Sequence, residues 1–216
     1  MEIVWYGLGC FRLTERGYPS VVIDPFDEDE SGLRLPRGAA DIVLSSQLVD
    51  DPIDARWPGL TSVGHAMAAP GEYEIGGVFV TGVATSFHHR EGRPIRENVI
   101  YAVNYEGVVV CHLGELALTP THAQVEAIGR VNVLLVPVGM DDGLTMTMAS
   151  ETVSMIEPDI VIPMQYATPG LKLERGLVDG FLKEMAVAHP TTIPSLKITA
   201  GAEPEEIQIV LLEPVA

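Results

Sequence analysis

The sequence predicts a single α/β domain over residues 1–216, built as a four-layer αββα sandwich. Three observations carry that prediction. The first half of the chain is a succession of short β-rich runs cut by glycine and proline, helical periods appear only past residue 113, and from there strands and helices alternate. Two strand layers with helices on their outer faces satisfy all three.

Residues 3–6, 10–13 and 21–23 are short apolar strands joined by tight turns, as in a meander. Gly7-Leu8-Gly9 opens like a dinucleotide loop, but Arg12 stands where the third glycine belongs and no helix follows, so it reads as a hairpin turn. Asp24-Pro25-Phe26 ends the third run and leads into an acidic loop over residues 27–38. The run 41–44 then feeds a polar turn, Ser45-Ser46-Gln47-Leu48-Val49-Asp50-Asp51-Pro52, which delivers side chains to the rim of a sheet. Of the groups delivered, only Asp50 and Asp51 could hold a metal or move a proton.

Strands follow at 61–68, within 70–77 and at 78–84, with glycine at the corners. A polar loop, residues 87–94, leaves the last of them. The runs 98–104 and 108–113 form a hairpin about Glu106-Gly107. Thr119-Pro120-Thr121 caps a helix reaching Ile128, with Val125 and Ile128 inward and Pro120 in its first turn. Strand 133–136, helix 147–156 and strand 160–163 make a βαβ-like unit; a helix over 174–185 and a strand over 207–212 close the chain.

Thirteen basic against 30 acidic residues give a net charge of −17, which repels phosphate backbones and anionic lipid, so neither nucleic acid nor membrane is an expected partner. Cys10 and Cys111 are too few for a disulfide framework or a cysteine zinc knuckle and read as buried small hydrophobes suited to a reducing compartment. No basic leader and no run of apolar residues long enough to span a bilayer is seen, and a cytoplasmic location is expected. His112 and His65 read as satisfied histidines on strands, His122 and His189 as surface residues; Ser45, Ser46 and Ser86 have neighbours typical of turns and suggest no catalytic triad.

The strand-end polar groups at Gln47 to Pro52, His88, His112 to Glu115 and Gln165 are spaced like the ligand segments of the metallo-β-lactamase superfamily. The sequence resembles its L-ascorbate phosphate lactonase-like branch, and the similarity runs nearly end to end through residues 7–11, 23–26, 40–43, 70–77, 110–116, 134–139 and 160–166. The resemblance implies the metallo-β-lactamase form of the αββα sandwich, with a pocket at one edge. In such proteins the turn after the Asp41-type strand reads Ser/Thr-His-x-His-x-Asp-His, because zinc takes imidazole nitrogens and carboxylates from one rigid turn.

Here three of those imidazoles are Gln47, Val49 and Pro52, and only Asp51 matches. The third-histidine loop keeps His88, with His89 where an aspartate is common. The bridging carboxylate is Glu115 in His112-Leu113-Gly114-Glu115, the last histidine is Gln165, and Leu8 stands where relatives often have another histidine. Neither zinc site reaches three good ligands, and without the metal no group lowers the pKa of a water. The resemblance therefore implies a degenerate member, without a resident cofactor, that binds a small molecule or a partner in the former active-site pocket. Gln47 and Gln165 then hold the pocket's shape by bonding each other or Glu115. The alternative is a hydrolase of a small lactone or phosphoester with one weakly held Zn, Mn or Mg ion on Asp51, His88 and Glu115, Asp51 being catalytic. A homo-oligomer is compatible with either.

Overall fold

A computed structural model describes residues 1–47, 59–87, 96–201, 204 and 206–215. The chain opens with β1 (Glu2–Gly7), β2 (Cys10–Thr14) and β3 (Val21–Ile23), where alternate side chains turn to opposite faces: Ile3, Trp5, Phe11, Leu13, Val21 and Ile23 face the main core, while Tyr6, Cys10 and Val22 enter a smaller cluster with Leu35, Ala40 and Val43. The acidic loop contains a short helix not expected from its composition, α1 (Glu28–Ser31). Asp27 caps it by accepting from the Asp29 and Glu30 amides, and Gly32 closes it in the left-handed conformation at φ 76°.

Next come β4 (Gly38–Leu44), β5 (Leu60–Met67), β6 (Gly71–Ile75), β7 (Val78–Phe87), β8 (Arg96–Tyr105) and β9 (Val108–His112). Helix α2 (His122–Ile128) begins at Thr121, whose hydroxyl and the Gln124 side chain form a reciprocal capping box. Pro120 thus precedes the cap and lies outside the first helical turn. The βαβ-like unit is β10 (Val133–Pro137), α3 (Met146–Ile156) and β11 (Ile160–Met164). The last helix, α4, spans only Asp179–Glu184, because Gly176 is committed elsewhere: its N–H bonds Gly139 O and its carbonyl accepts from Ala167 N–H. Two short strands absent from the sequence reading, β12 (Thr191–Ile193) and β13 (Leu196–Lys197), precede β14 (Gln208–Leu212).

The strands form two mixed sheets, a six-stranded one ordered β13-β1-β2-β3-β4-β5 and an eight-stranded one ordered β12-β14-β11-β10-β9-β8-β7-β6. Every residue of β10 and β11 is buried, as expected of parallel strands covered on both faces. Helices α2 and α3 pack on the eight-stranded sheet, and the outer face of the six-stranded sheet is closed by the small cluster around Leu35. Both cysteines are buried free thiols. His65 is exposed on β5, a parallel edge strand. Among the described residues no helix is long and apolar enough to cross a membrane.

Candidate functional site

The ends of four strands and one hairpin turn meet at one edge of the sandwich. β3 ends in Asp24, β4 in Ser45-Ser46-Gln47, β9 in His112 and the turn to Glu115, β11 in Gln165, and the β1–β2 turn supplies Leu8 and Gly9. The Asp24 carboxylate bonds both the backbone and the hydroxyl of buried Ser46. Its Oδ2 lies 3.8 Å from His112 Nδ1.

His112 is fully buried and its Nε2 sits 2.8 Å from Gly9 O. A carbonyl only accepts, so Nε2 carries the proton, and Nδ1 accepts from the Gly114 N–H at 3.0 Å. The ring is therefore neutral, which fits the downward shift of its pKa by burial against the opposing pull of Asp24. With both nitrogens engaged, His112 is a structural brace between the turn at Gly9 and the turn at Gly114.

Asn98 ties three elements. Its amide nitrogen donates to Thr85 Oγ1 at 2.9 Å and to Leu113 O at 3.0 Å, while its Oδ1 accepts from the Glu115 N–H at 2.8 Å. Gly114, at φ 65°, fits under this network: a Cβ there would lie 2.1 Å from Asn98 Oδ1 and 2.6 Å from Ser46 Cβ. The network fixes where Glu115 leaves the sheet, half-buried at the rim. Asp24 and Asn98 are site-forming residues that the ligand pattern does not single out. The available signals were a carboxylate directly after an all-apolar strand and a lone amide at the head of the apolar run 98–103.

Gln165 stands at the end of β11 in a left-handed turn, φ 62°, with its N–H on Leu8 O at 3.1 Å. Leu8 (φ 50°) and Asp24 (φ 46°) share that unusual conformation. Three non-glycine residues of this kind around one rim mark a place where the backbone is held against its preference. The Gln165 side chain is only 5% exposed, and its Oε1 has no hydrogen-bond partner among the described residues. Its Nε2 would be 3.1 Å from a Cβ on Gly9. Gln47 is exposed, bridged to Asn98 through the backbone. Among the described residues, Gln165 Oε1 therefore does not make the expected bond to Gln47 or Glu115. Val49, Asp51, Pro52 and His88 lie outside the described residues.

The chemistry of the described donors suits zinc poorly: two amides, one of them turned to solvent, and one carboxylate. Among the described residues no three His, Cys, Asp or Glu side chains gather as a metal site.

Comparison with known proteins agrees with this architecture. The beta-lactamase superfamily domain profile matches residues 2–165. A UPF0173 protein of Pyrococcus furiosus is 30% identical over 183 residues, covering 78% of this chain and 84% of its own. One from Pyrococcus abyssi is 27% identical over 197 residues, covering 86% and 90%. A crystal structure from Thermotoga maritima, described among the Zn-dependent hydrolases of the metallo-beta-lactamase superfamily, superposes with a TM-score of 0.77 at 32% identity, covering 98% of this chain and 97% of that one. Igni18, a metallo hydrolase of Ignicoccus hospitalis, has a TM-score of 0.60 at 16% identity, covering 92% and 99%, a likeness of fold alone.

Proposed function

Because the chain belongs to the beta-lactamase superfamily and has its metallo-β-lactamase fold, we propose that it is a hydrolase homologue whose binuclear zinc site is largely lost, and that it binds a small ligand or a partner in the former active-site pocket without turning it over. The observation that carries this reading is Gln165. At the β11 end, where the resemblance implies an imidazole, stands a buried amide whose carbonyl oxygen has no partner among the described residues. An amide oxygen is a weak zinc ligand, whereas an unpartnered buried acceptor offers a strong hydrogen bond to an incoming donor. Val49 and Pro52, at two further ligand positions of the resemblance, have no side-chain lone pair to give.

The chain's own groups support binding over chemistry. His112 is occupied at both nitrogens and serves neither as base nor as ligand. The Cys10 and Cys111 thiols are pushed up by burial and stay protonated at neutral pH.

The test is metal analysis of the purified full chain after saturation with zinc and, separately, manganese, paired with lactone and phosphoester hydrolysis assays. The expected result is no retained ion and no turnover. About one tightly held ion per chain, with turnover that disappears in His88→Ala, would establish the rival reading of a one-metal hydrolase on Asp51, His88 and Glu115.

A further inference from the structure

Three side-chain atoms among the described residues are buried without a hydrogen-bond partner: Gln165 Oε1, Thr168 Oγ1 and Arg175 Nε. Buried polar atoms are overwhelmingly paired, so each exception calls for a cause. All three fall between residues 165 and 175, in the segment that leaves the β11 end at the rim of the pocket.

That segment doubles back on itself. Leu171 N–H donates to Thr168 O at 3.2 Å, Ala167 N–H to Gly176 O at 2.9 Å, and Gly176 N–H to Gly139 O at 2.8 Å. Gly139 seals the junction, since a Cβ there would lie 2.5 Å from Gln165 O and 3.0 Å from Gly176 O. With residue 167 bonded to residue 176, Thr168 and Arg175 are the next residues along the two limbs. The loop thus holds its own backbone closed; Lys172 Nζ is spent on Asp29 O at 2.9 Å, while Gln165 Oε1, Thr168 Oγ1 and Arg175 Nε have no partner among the described residues.

Their chemistry is complementary to one kind of molecule. Arg175 is half-buried; among the described residues its Nη1 donates to the neutral carbonyl of its neighbour Glu174, at 2.9 Å. None of the ion pairs among the described residues includes it. A partly desolvated guanidinium without a counter-ion is costly, and a carboxylate or phosphate removes that cost with charge-assisted bonds. Gln165 Oε1 can only accept, so it requires a donor, and the Thr168 hydroxyl serves either way.

We propose that residues 165–176 form a binding loop for a small anion that also carries a hydroxyl or amide donor, the anionic group meeting Arg175 Nε and Thr168 Oγ1 and the donor meeting Gln165 Oε1. The net charge of −17 repels anions at long range, so selectivity for one rests on this local cation. The inference deepens the reading of the pocket as a ligand site and rests on it. Metal content and turnover test that reading alone, and the dependence of binding on Arg175 tests this one alone.

The experiment is ligand-observed NMR titration of the full chain with glycerate, glycerol 3-phosphate, acetate and glycerol. Glycerate and glycerol 3-phosphate distinguish a carboxylate from a phosphate; acetate and glycerol each supply half of the recognised pattern. Saturable binding of at least one of the first two is expected, with acetate and glycerol weaker by about tenfold or more. Arg175→Met is expected to weaken binding by about tenfold or more and Arg175→Lys to restore part of it, since an ammonium keeps the charge but lacks Nε. Circular dichroism melting checks that each variant is folded, and Thr168→Val replaces Arg175→Met if the latter is not. Absence of saturable binding by both hydroxylated anions, or wild-type affinity in a folded Arg175→Met or Thr168→Val protein, overturns the proposal.

Discussion

Asp24 holds Ser46 with both carboxylate oxygens, Oδ1 accepting the Ser46 N–H and Oδ2 the Ser46 hydroxyl, each at 2.6 Å. This pairing fixes the exit of β4 to the exit of β3 and so sets where Gln47 emerges. Charge-assisted bonds of this kind contribute about 1.5–3 kcal/mol each, so Asp24→Ala is expected to cost about 3 kcal/mol or more in urea unfolding. Asn tolerates the φ of 46° at this position and keeps one acceptor. Asp24→Asn is therefore expected to lose roughly half as much; equal losses in the two variants would show that the carboxylate itself, and not its two acceptors, matters.

Gly114 offers a sharper test of the same network. The φ of 65° and the 2.1 Å approach of a hypothetical Cβ to Asn98 Oδ1 leave no room for a methyl group. Gly114→Ala is expected to destabilise by about 3 kcal/mol or more, or to abolish soluble folded protein. A thermal midpoint within a few degrees of wild type would mean that Asn98 is not the tie described.

The neutral state of His112 makes stability depend on pH in a defined direction. Burial lowers its pKa in the fold, with Asp24 and the Gly9 carbonyl pulling upward, so the unfolded chain takes up the proton first as pH falls. Stability is then complete above the unfolded-state value of about 6.5 and declines below it, by up to about 1.4 kcal/mol per pH unit. Urea midpoints measured from about pH 8 down to about pH 5.5 should show this decline. The His112→Asn protein, weaker throughout, should show a flatter profile over the same range, and an unchanged slope would assign the effect to other groups.

Much of this was legible in the sequence, and the exceptions have physical causes. Strands β1 to β3 and the buried pair β10 and β11 were readable because alternation and unbroken apolar runs report burial directly. Helix α1 was hidden in an acidic loop because its basis is one capping aspartate rather than an apolar face. The last helix was read too long because Gly176 is spent on bonds to Gly139 and Ala167, partners remote from any local pattern. At the site, the amides Gln47 and Gln165, at positions where the resemblance implies imidazoles, are legible in the residues themselves. The roles of Asp24 and Asn98 are not, because each depends on a partner more than ten residues away.

At residue 165 the bend is imposed by the main chain, through the bond to Leu8 O and the close fit of Gly139 behind it. A β-branched residue is strained in that conformation, whereas histidine adopts it with little penalty. Gln165→Val is expected to cost about 1–2 kcal/mol more than Gln165→His, as read by chemical unfolding. Equal stability of the two would place the origin of the bend in the glutamine side chain.

The struts at this edge of the sandwich are Asp24, Ser46, Asn98, His112 and a handful of glycines, none of which is among the ligand positions that the resemblance to the superfamily implies. Scaffold and contents are consequently separable. A lineage could exchange one set of donors for another, or reverse the exchange, without rebuilding the walls, which makes this rim a natural place to graft a new specificity by a few side-chain replacements.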